Sequence, residues 1–471
     1  MNDFFDRERE MARLERVWQE PGAQLVTVWG RRRVGKSALL SRFVSGKRAV
    51  YLHGTRLAER DLLINLTNQM ATAFGEEHLR FAPFATWDLA LQYLATKAGD
   101  ERLLIIFDEF PYMCDVTQGL DTVVQHWWDS IHQTQNLMLV VAGSAFSFME
   151  GLTGICGALH GRRTGQLDVH PFDYYDAARF FTHLDSTDKV RAYACLGGVP
   201  AYLRYARDDW TVSDLIQQAF MRPGHFLFTE GEDLLRTEFH QEGLYASILR
   251  AVANGEVRPS DIARTVGRPS LNDITDHLRR LLDLRFLQRE VPVTELNRTR
   301  TQRVQYRLAD PYLRFWFRFI SVNQSLVLSE FHDIVWNSRI APFLDEFVAR
   351  TAWEEICTQY LWRALSRRQL PALFSVLGRW WDGNDEIDMV GMLDGAITIV
   401  GECKWSVTPV DIRVFDNLRR KMHKLDATAN PFWVLASRSG FEPEVRRRAE
   451  QGDLLLIEPD YLFDPELERP V

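Results

Sequence analysis

An apolar run, Leu25-Val26-Thr27-Val28-Trp29, leads directly into Gly30-Arg31-Arg32-Arg33-Val34-Gly35-Lys36-Ser37, and the helical stretch ALLSRFV follows. Strand, GxxxxGKS loop and helix in that order is the setting in which glycines let backbone N–H groups curl around phosphate oxygens. The helix N-terminus adds a partial positive charge at the same place. In this arrangement Lys36 reaches the β/γ-phosphates and Ser37 ligates Mg²⁺, while Gly30, Arg33, Val34, Gly35 and Ala38 complete the cradle. The expected ligand is ATP with Mg²⁺.

A second motif agrees. Leu103 to Phe107 is an apolar strand that ends in Asp108 and Glu109, as a buried strand carrying metal ligands at its tip would. Asp108 is expected to hold Mg²⁺ through water, and Glu109 to polarise the water that attacks the γ-phosphate, which implies hydrolysis as well as binding. The strand Leu137–Ala142 ends in Gly143-Ser144, which makes Ser144 the candidate sensor of the γ-phosphate or attacking water. Arg162 and Arg163 are candidates to place charge on the transition state, from the same or a neighbouring subunit; the alternative is an ordinary salt-bridged pair.

Around these motifs, apolar runs of strand length (Gln24–Trp29, Ala49–His53, Arg102–Phe107, Leu137–Ala142) alternate with helical patterns, which predicts a parallel sheet covered by helices over residues 1–170. Residues 171–240 turn helical, broken at Gly197-Gly198-Val199-Pro200, and form a lid or linker. Residues 241–325 give three helices and a hairpin, with Ser260 and Ser270 as N-caps and strands at Phe286–Val293 and Arg303–Leu308: the order of a winged helix-turn-helix. Residues 326–471 form a second α/β domain, with a long helix from about Pro342, then strands near Glu386–Val390 and Ala396–Cys403. A basic helix and strands Phe432–Ala436 and Leu454–Ile457 complete it. At roughly 150 residues per domain, 471 residues suggests about three domains.

The sequence resembles the archaeal-type ATPases, found also in bacteria, which group with the AAA+/STAND-like ATPases and carry a C-terminal nuclease-like domain. The residues behind this are Phe5-Asp6-Arg7-Glu8-Arg9-Glu10, GRRRVGKS, FDEFPY at Phe107–Tyr112, AGSAFSFME at Ala142–Glu150, GRRTG at Gly161–Gly165, GGVPAYL at Gly197–Leu203 and ECKW at Glu402–Trp405. The resemblance implies that Arg7 and Glu8 lie near the adenine side of the site, and that Pro200 matches the lid proline that touches nucleotide; a plain helix-breaking turn is the alternative for Pro200.

The C-terminal domain resembles the PD-(D/E)XK nucleases. Strand alternation puts Glu402 and Lys404 on one face, and likewise Glu386 and Asp388, after a helix bearing Glu354 and Glu355. In that resemblance Asp388 and Glu402 hold Mg²⁺ or Mn²⁺ and Lys404 orients or deprotonates the attacking water. Glu354 adds a metal-side carboxylate, with Glu355 as the alternative. The fold class expected overall is α/β: a parallel-sheet P-loop core, a helical lid, a winged helix and a restriction-endonuclease-like α/β domain.

Between Val257 and Ala309 there are 11 Arg against 6 acidic residues, a local balance of +5 in a chain of net charge −8. Arg279 and Arg280 on the third helix, with Arg298, Arg300 and Arg303 on the hairpin, are the candidate DNA phosphate contacts. Asp273 and Asp276 sit badly in a groove, so a winged helix used only for protein docking is the alternative.

Hydrophobic residues at 46% and charged residues at 25% exclude a mainly disordered or fibrous chain, and the negative total excludes a histone-like coat protein. The five cysteines are scattered without a CxxC pair and the 12 histidines do not cluster, so thiols in a reducing cytosol are expected and zinc is not. The start MNDFFDRERE has no signal-peptide order, and the apolar stretch Leu137–Met149 is too short for a membrane span. The expected partners are ATP, DNA and further copies of the chain. Two functions compete: an ATP-hydrolysing, DNA-associated enzyme that licenses a metal-dependent nuclease, and a STAND-like regulatory ATPase whose nuclease fold only docks. A small-molecule kinase is disfavoured, since no phosphate-acceptor pocket follows the loop.

Overall fold

The computed structural model describes residues 7–99, 101–155, 157–239, 242–268, 270–298, 301–426 and 430–467. The chain divides into two compact units, residues 1–170 and 171–470.

The first unit is built on five strands, β1 (Gln24–Trp29), β2 (Ala49–His53), β3 (Leu103–Asp108), β4 (Leu137–Gly143) and β5 (Gly165–Asp168). They form a parallel sheet in the order β2-β3-β4-β1-β5. Every residue of β1, β3 and β4 is buried, as expected of central parallel strands covered on both faces. Alternation sorts their side chains into two cores. Leu25, Ile105, Phe107, Leu139 and Val141 pack on one face, and Val26, Val28, Ile106, Val140 and Ala142 on the other. The parallel register brings the C-terminal ends of β1, β3 and β4 to one edge, with Trp29 level with Gly143 and His53 level with Asp108. That edge carries the phosphate loop. The four expected strands are present within one residue of their expected ends, and β5 was not expected.

In the second unit, helices Glu242–Ala253, Pro259–Thr265 and Asn272–Asp283 precede an antiparallel hairpin of β6 (Leu287–Glu290) and β7 (Gln305–Leu308). Ser260 is not an N-cap: Pro259 occupies the first helical turn and moves the cap to Arg258. Ser270 is not the N-cap either, which is Leu271; it stands one residue earlier, its hydroxyl accepting from the Asn272 N–H at 3.2 Å and its own N–H donating to the Asp273 carboxylate. The first hairpin strand stops before Pro292, which has no N–H for the ladder, and a short 3₁₀ turn, Val293–Glu295, follows.

The single long helix expected from Pro342 is two, Leu344–Thr351 and Trp353–Ser366, broken where Ala352 leaves helical geometry at φ −127°, ψ −36°. A mixed sheet then runs β12-β11-β10-β9-β8, with β8 (Val376–Asp382), β9 (Asp385–Leu393), β10 (Ala396–Lys404), β11 (Phe432–Ser437) and β12 (Leu454–Ile457). β8, β9 and β10 pair antiparallel, and β10, β11 and β12 parallel. No helix among the described residues is long and apolar enough to cross a membrane.

Candidate functional site

The loop after β1 takes its shape from three left-handed residues. Gly30 has φ +155° and lies so close to the Val169 carbonyl that a Cβ would collide with it; Arg33 (φ +69°) and Gly35 (φ +93°) complete the curl. Helix Lys36–Val44 starts at once, so its unpaired N–H groups face the loop. Val34 is buried beneath, and Ala38 is exposed on the first turn. Lys36 folds back over the loop, its Nζ donating to the carbonyls of Gly30 (2.9 Å) and Arg31 (3.3 Å) and lying 3.8 Å from the Glu109 carboxylate. Arg7 is buried beside it and donates to the carbonyls of Val34 (2.8 Å) and His170 (2.9 Å), so it braces the loop's backbone.

Asp108 is fully buried at the tip of β3. Its Oδ2 accepts from the Ser37 hydroxyl at 2.6 Å and the Tyr51 hydroxyl at 2.7 Å, and lies 3.1 Å from His53 Nδ1. Burial, then the Asp108 charge, pushes the Tyr51 hydroxyl well above its ordinary pKa, so it stays a donor. Glu109 follows with φ +51°, a strained conformation for a non-glycine residue, and its Oε2 accepts from both the hydroxyl (2.9 Å) and the N–H (3.2 Å) of Ser144. The structure thus brings Lys36, Ser37, Asp108, Glu109 and Ser144 together. Tyr51 and His53 escaped the sequence reading; the signal was their alternation on the strand next to β3.

Arg162 forms a bidentate pair with Asp129 (2.6 and 2.7 Å), whose carboxyl it holds below the usual range, and Arg163 donates to Gln166. Pro200 lies in the second unit, in the first turn of helix Pro200–Leu203. There Gly198 packs so tightly against Phe172 that a Cβ would collide with the Phe172 carbonyl.

On helix Asn272–Asp283, Ile274, Leu278 and Leu281 face the core, which leaves Arg279 and Arg280 exposed; Arg279 pairs with Asp276 at 2.9 Å. The hairpin arginines are bound more tightly. Glu295, 4% exposed at its side chain, pairs with Arg298 (2.9 Å) and Arg303, and Arg303 also donates to the Trp381 carbonyl of β8 at 2.9 Å. Arg303 and Thr301 hold the Glu295 carboxyl below its ordinary range. Val293 is buried in the core of the C-terminal sheet with Trp380 and Ile387. Arg300 lies outside the described residues.

In the C-terminal sheet, carboxylate oxygens of Glu354, Glu386 and Asp388 lie within 4.8 Å of one another. The buried Asp388 accepts the Cys403 N–H of β10 at 2.7 Å. Glu402 is buried too, but is held by the ammonium groups of Lys404 (2.7 Å) and Lys421 (2.9 Å). Glu355 binds Arg314 at 2.6 Å and stands apart from the cluster. Arg379, at a register irregularity in β8, reaches Glu386, Glu354 (3.2 Å) and Glu290 (3.3 Å), while Arg307 of β7 reaches Glu290 (3.0 Å) and Glu354 (4.0 Å). Burial, then the Asp388 charge, pushes the Glu354 carboxyl up to about 8, and burial with the Glu402 charge pushes Asp388 up to about 6. Arg379 escaped the sequence reading because β8 did.

Residues 4–206 match the family model of an ATPase domain predominantly from Archaea, and residues 316–415 match the model of archaeal and bacterial proteins of unknown function. An uncharacterized protein of Methanocaldococcus jannaschii is 26% identical over 404 residues, covering 85% of this chain and 87% of its own. An uncharacterized ATP-binding protein of the same organism is 44% identical over 45 residues, 10% of this chain and 76% of its own. Among solved structures, a Walker-type ATPase of Pyrococcus abyssi is similar, with a TM-score of 0.49 and 22% identity over 67% of this chain and 96% of that one. The chain therefore carries a P-loop ATPase-type domain with a parallel-sheet core, and a separate C-terminal sheet.

Proposed function

We propose that the first unit hydrolyses ATP and that its nucleotide state governs a DNA-directed second unit, whose acidic cluster is a metal-dependent nuclease centre. The observation that carries the hydrolysis is Glu109, fixed by Ser144 and 3.8 Å from the Lys36 ammonium beside the phosphate loop. Bound in the loop, ATP would exchange the Gly30 and Arg31 carbonyls for its own β- and γ-phosphates at Lys36. Glu109 takes a proton from water as the water oxygen attacks the γ-phosphorus. The bond from that phosphorus to the β–γ bridging oxygen breaks, leaving ADP and phosphate. The Ser37 hydroxyl and Asp108 carboxylate are hard oxygen donors 2.6 Å apart and fit Mg²⁺, which when bound neutralises charge on the phosphate oxygens. The matched ATPase domain and the ATP-binding relative support this reading. Arg162 or Arg163 would act on the nucleotide from a neighbouring copy, and Pro200 from the lid.

For DNA, the support is the exposed pair Arg279 and Arg280, on the third helix of a three-helix and hairpin order that suits a winged helix. Arg298, Arg300 and Arg303 would add hairpin contacts. For cleavage, Glu354, Glu386 and Asp388 offer a set of oxygen donors suited to Mg²⁺ or Mn²⁺, while Glu402 and Lys404 lie on the adjoining strand to orient water.

One observation favours a second reading. Arg379 binds Glu354 and Glu386, and two lysines bind Glu402, so three carboxylates already have protein cations. A sheet neutralised in this way would serve a STAND-like switch as a non-cleaving DNA- or protein-binding module.

The experiment is cleavage of linear, circular and branched DNA with Mg²⁺ or Mn²⁺, with and without ATP, by the native chain and by Asp388→Ala and Lys404→Ala. Metal-dependent cutting lost in both variants supports the nuclease. No cutting on any substrate selects the switch.

A further inference from the structure

The second unit holds a cavity of about 160 Å³ between the end of helix Glu242–Ala253, strand β7 and helix Leu344–Thr351, and no carboxylate of the acidic cluster lines it. Its inner wall is apolar. Phe319, Phe347 and Leu308 are buried there, and Phe343 stands 44% exposed. Around this apolar space the lining residues include four guanidinium groups, those of Arg307, Arg314, Arg318 and Arg350, against one carboxylate, that of Glu346.

The four arginines fall into two pairs. Arg314 is buried and its donors go to the Leu308 carbonyl (2.7 Å), the Glu355 carboxylate (2.6 Å) and the Thr351 carbonyl, and Arg307 is paired to Glu290 at 3.0 Å. Each of these two is neutralised by its carboxylate and has few free donors, so the positive charge available to a ligand lies with the other two. Arg318 instead donates to a neutral partner, the Asn254 side-chain oxygen at 2.9 Å. Arg350 meets Glu346 at 2.8 Å across one helical turn, with side chains 75% and 50% exposed, a pairing of little worth in water. Arg318 and Arg350 can therefore turn to a better anion at small cost.

An apolar interior ringed by aromatic side chains and bearing surplus positive charge is the chemistry of a pocket for an amphipathic anion. A neutral hydrocarbon would leave the charge unused, and a bare inorganic anion would gain nothing from the rings. We propose that this cavity binds a small organic anion with a flat apolar body, the body between Phe319, Phe343 and Phe347 and the negative end held by Arg318 and Arg350. The ligand site is independent of both the phosphate loop and the nuclease reading.

Phenylacetate is the probe, because a carboxylate avoids competition for a phosphate-binding loop. Calorimetric titration of the full chain should show saturable binding in the millimolar range or tighter. Acetate, which has the charge alone, and benzyl alcohol, which has the ring alone, should each bind at least roughly tenfold more weakly. The double variant Arg318→Ala with Arg350→Ala should lose roughly tenfold for phenylacetate while its thermal unfolding transitions and near-ultraviolet circular dichroism stay native, which reports that the second unit is folded. No saturable binding up to about 10 mM, binding equal to that of acetate, or binding indifferent to the double variant would each overturn the proposal.

Discussion

Ser144 holds the Glu109 carboxylate by two donors on one oxygen, its hydroxyl at 2.9 Å and its N–H at 3.2 Å, while the other oxygen faces Lys36 at 3.8 Å. The strained backbone of Glu109 persists because neighbouring strands fix it from both sides, β3 by covalent continuation and β4 through Ser144.

Glu109→Gln keeps the shape and removes the carboxylate proposed as the base. Phosphate release should fall by roughly 10²- to 10⁴-fold while ATP binding persists. Ser144→Ala leaves the backbone donor in place, so the loss should be nearer tenfold, about the worth of one hydrogen bond to a charged group. Lys36→Ala should abolish turnover by removing the phosphate contact. Steady-state phosphate release with a nucleotide-binding assay separates the three; native turnover in Glu109→Gln would remove Glu109 from its role.

Ser37, Tyr51 and His53 converge on Asp108 Oδ2, and Tyr51 is a buried-side donor that helps to orient the carboxylate from the neighbouring strand. Partners behind a metal ligand typically contribute 10–100-fold to metal affinity. Tyr51→Phe should therefore raise the Mg²⁺ concentration for half-maximal ATP hydrolysis by roughly tenfold, with the KM for ATP at saturating Mg²⁺ unchanged. A titration of rate against Mg²⁺ at fixed ATP reads this directly, and an unshifted curve assigns Tyr51 to packing alone.

What the sequence made legible follows from how local each feature is. Lys36, Ser37, Asp108 and Glu109 sit in strand-loop patterns a few residues long, so their chemistry shows before any tertiary contact is known. β5 spells Gly-Gln-Leu-Asp and pairs only with β1, so it has neither the length nor the apolar run that marks the central strands. β8 carries Arg379 between Gly378 and Trp380 at a register shift, and no period marks it as a strand. For the same reason the acidic cluster differs in detail from its motif: the resemblance grouped Glu354, Asp388 and Glu402, and the structure keeps Glu354 beside Asp388 but adds Glu386 there and gives Glu402 to two lysines. Ion-pair choice depends on how the side chains of helix Trp353–Ser366, β8 and β9 meet in space, which their spacing along the chain does not give.

The candidate DNA arginines divide by burial, and so should their variants. Arg279 and Arg280 are exposed, so replacing both by Ala should weaken DNA binding and lessen its salt dependence by about two phosphate contacts, with no change in melting temperature. Arg303→Ala instead strips a partner from the buried Glu295 and a donor from the Trp381 carbonyl, which should destabilise the second unit by about 1–3 kcal/mol. Salt-dependent binding isotherms together with thermal melts test both. A stable Arg303→Ala protein with weakened DNA binding would make the hairpin a DNA contact rather than a brace.

The acidic cluster should take up metal in a pH-dependent way, and the direction follows from its raised carboxyls. Glu354 stands at about 8 and Asp388 at about 6, so near neutral pH Glu354 is largely protonated and Asp388 largely ionised. A divalent cation needs both ionised and must displace the proton on Glu354. Apparent Mn²⁺ affinity should therefore rise as pH increases from about 6 to 8, by up to tenfold per pH unit for the one proton released, and level off above about 8. Below about 6 the slope should steepen as Asp388 also takes a proton. Glu354→Gln removes the upper segment and leaves a weaker, flatter profile, while Arg379→Gln withdraws the competing guanidinium and should raise affinity across the range. Mn²⁺ binding followed by its electron paramagnetic resonance signal from pH 5.5 to 8.5 measures the profile without any need for cleavage. A native profile flat between pH 6 and 8 would mean that Glu354 is no metal ligand, and that its buried carboxyl only braces β8 through Arg379.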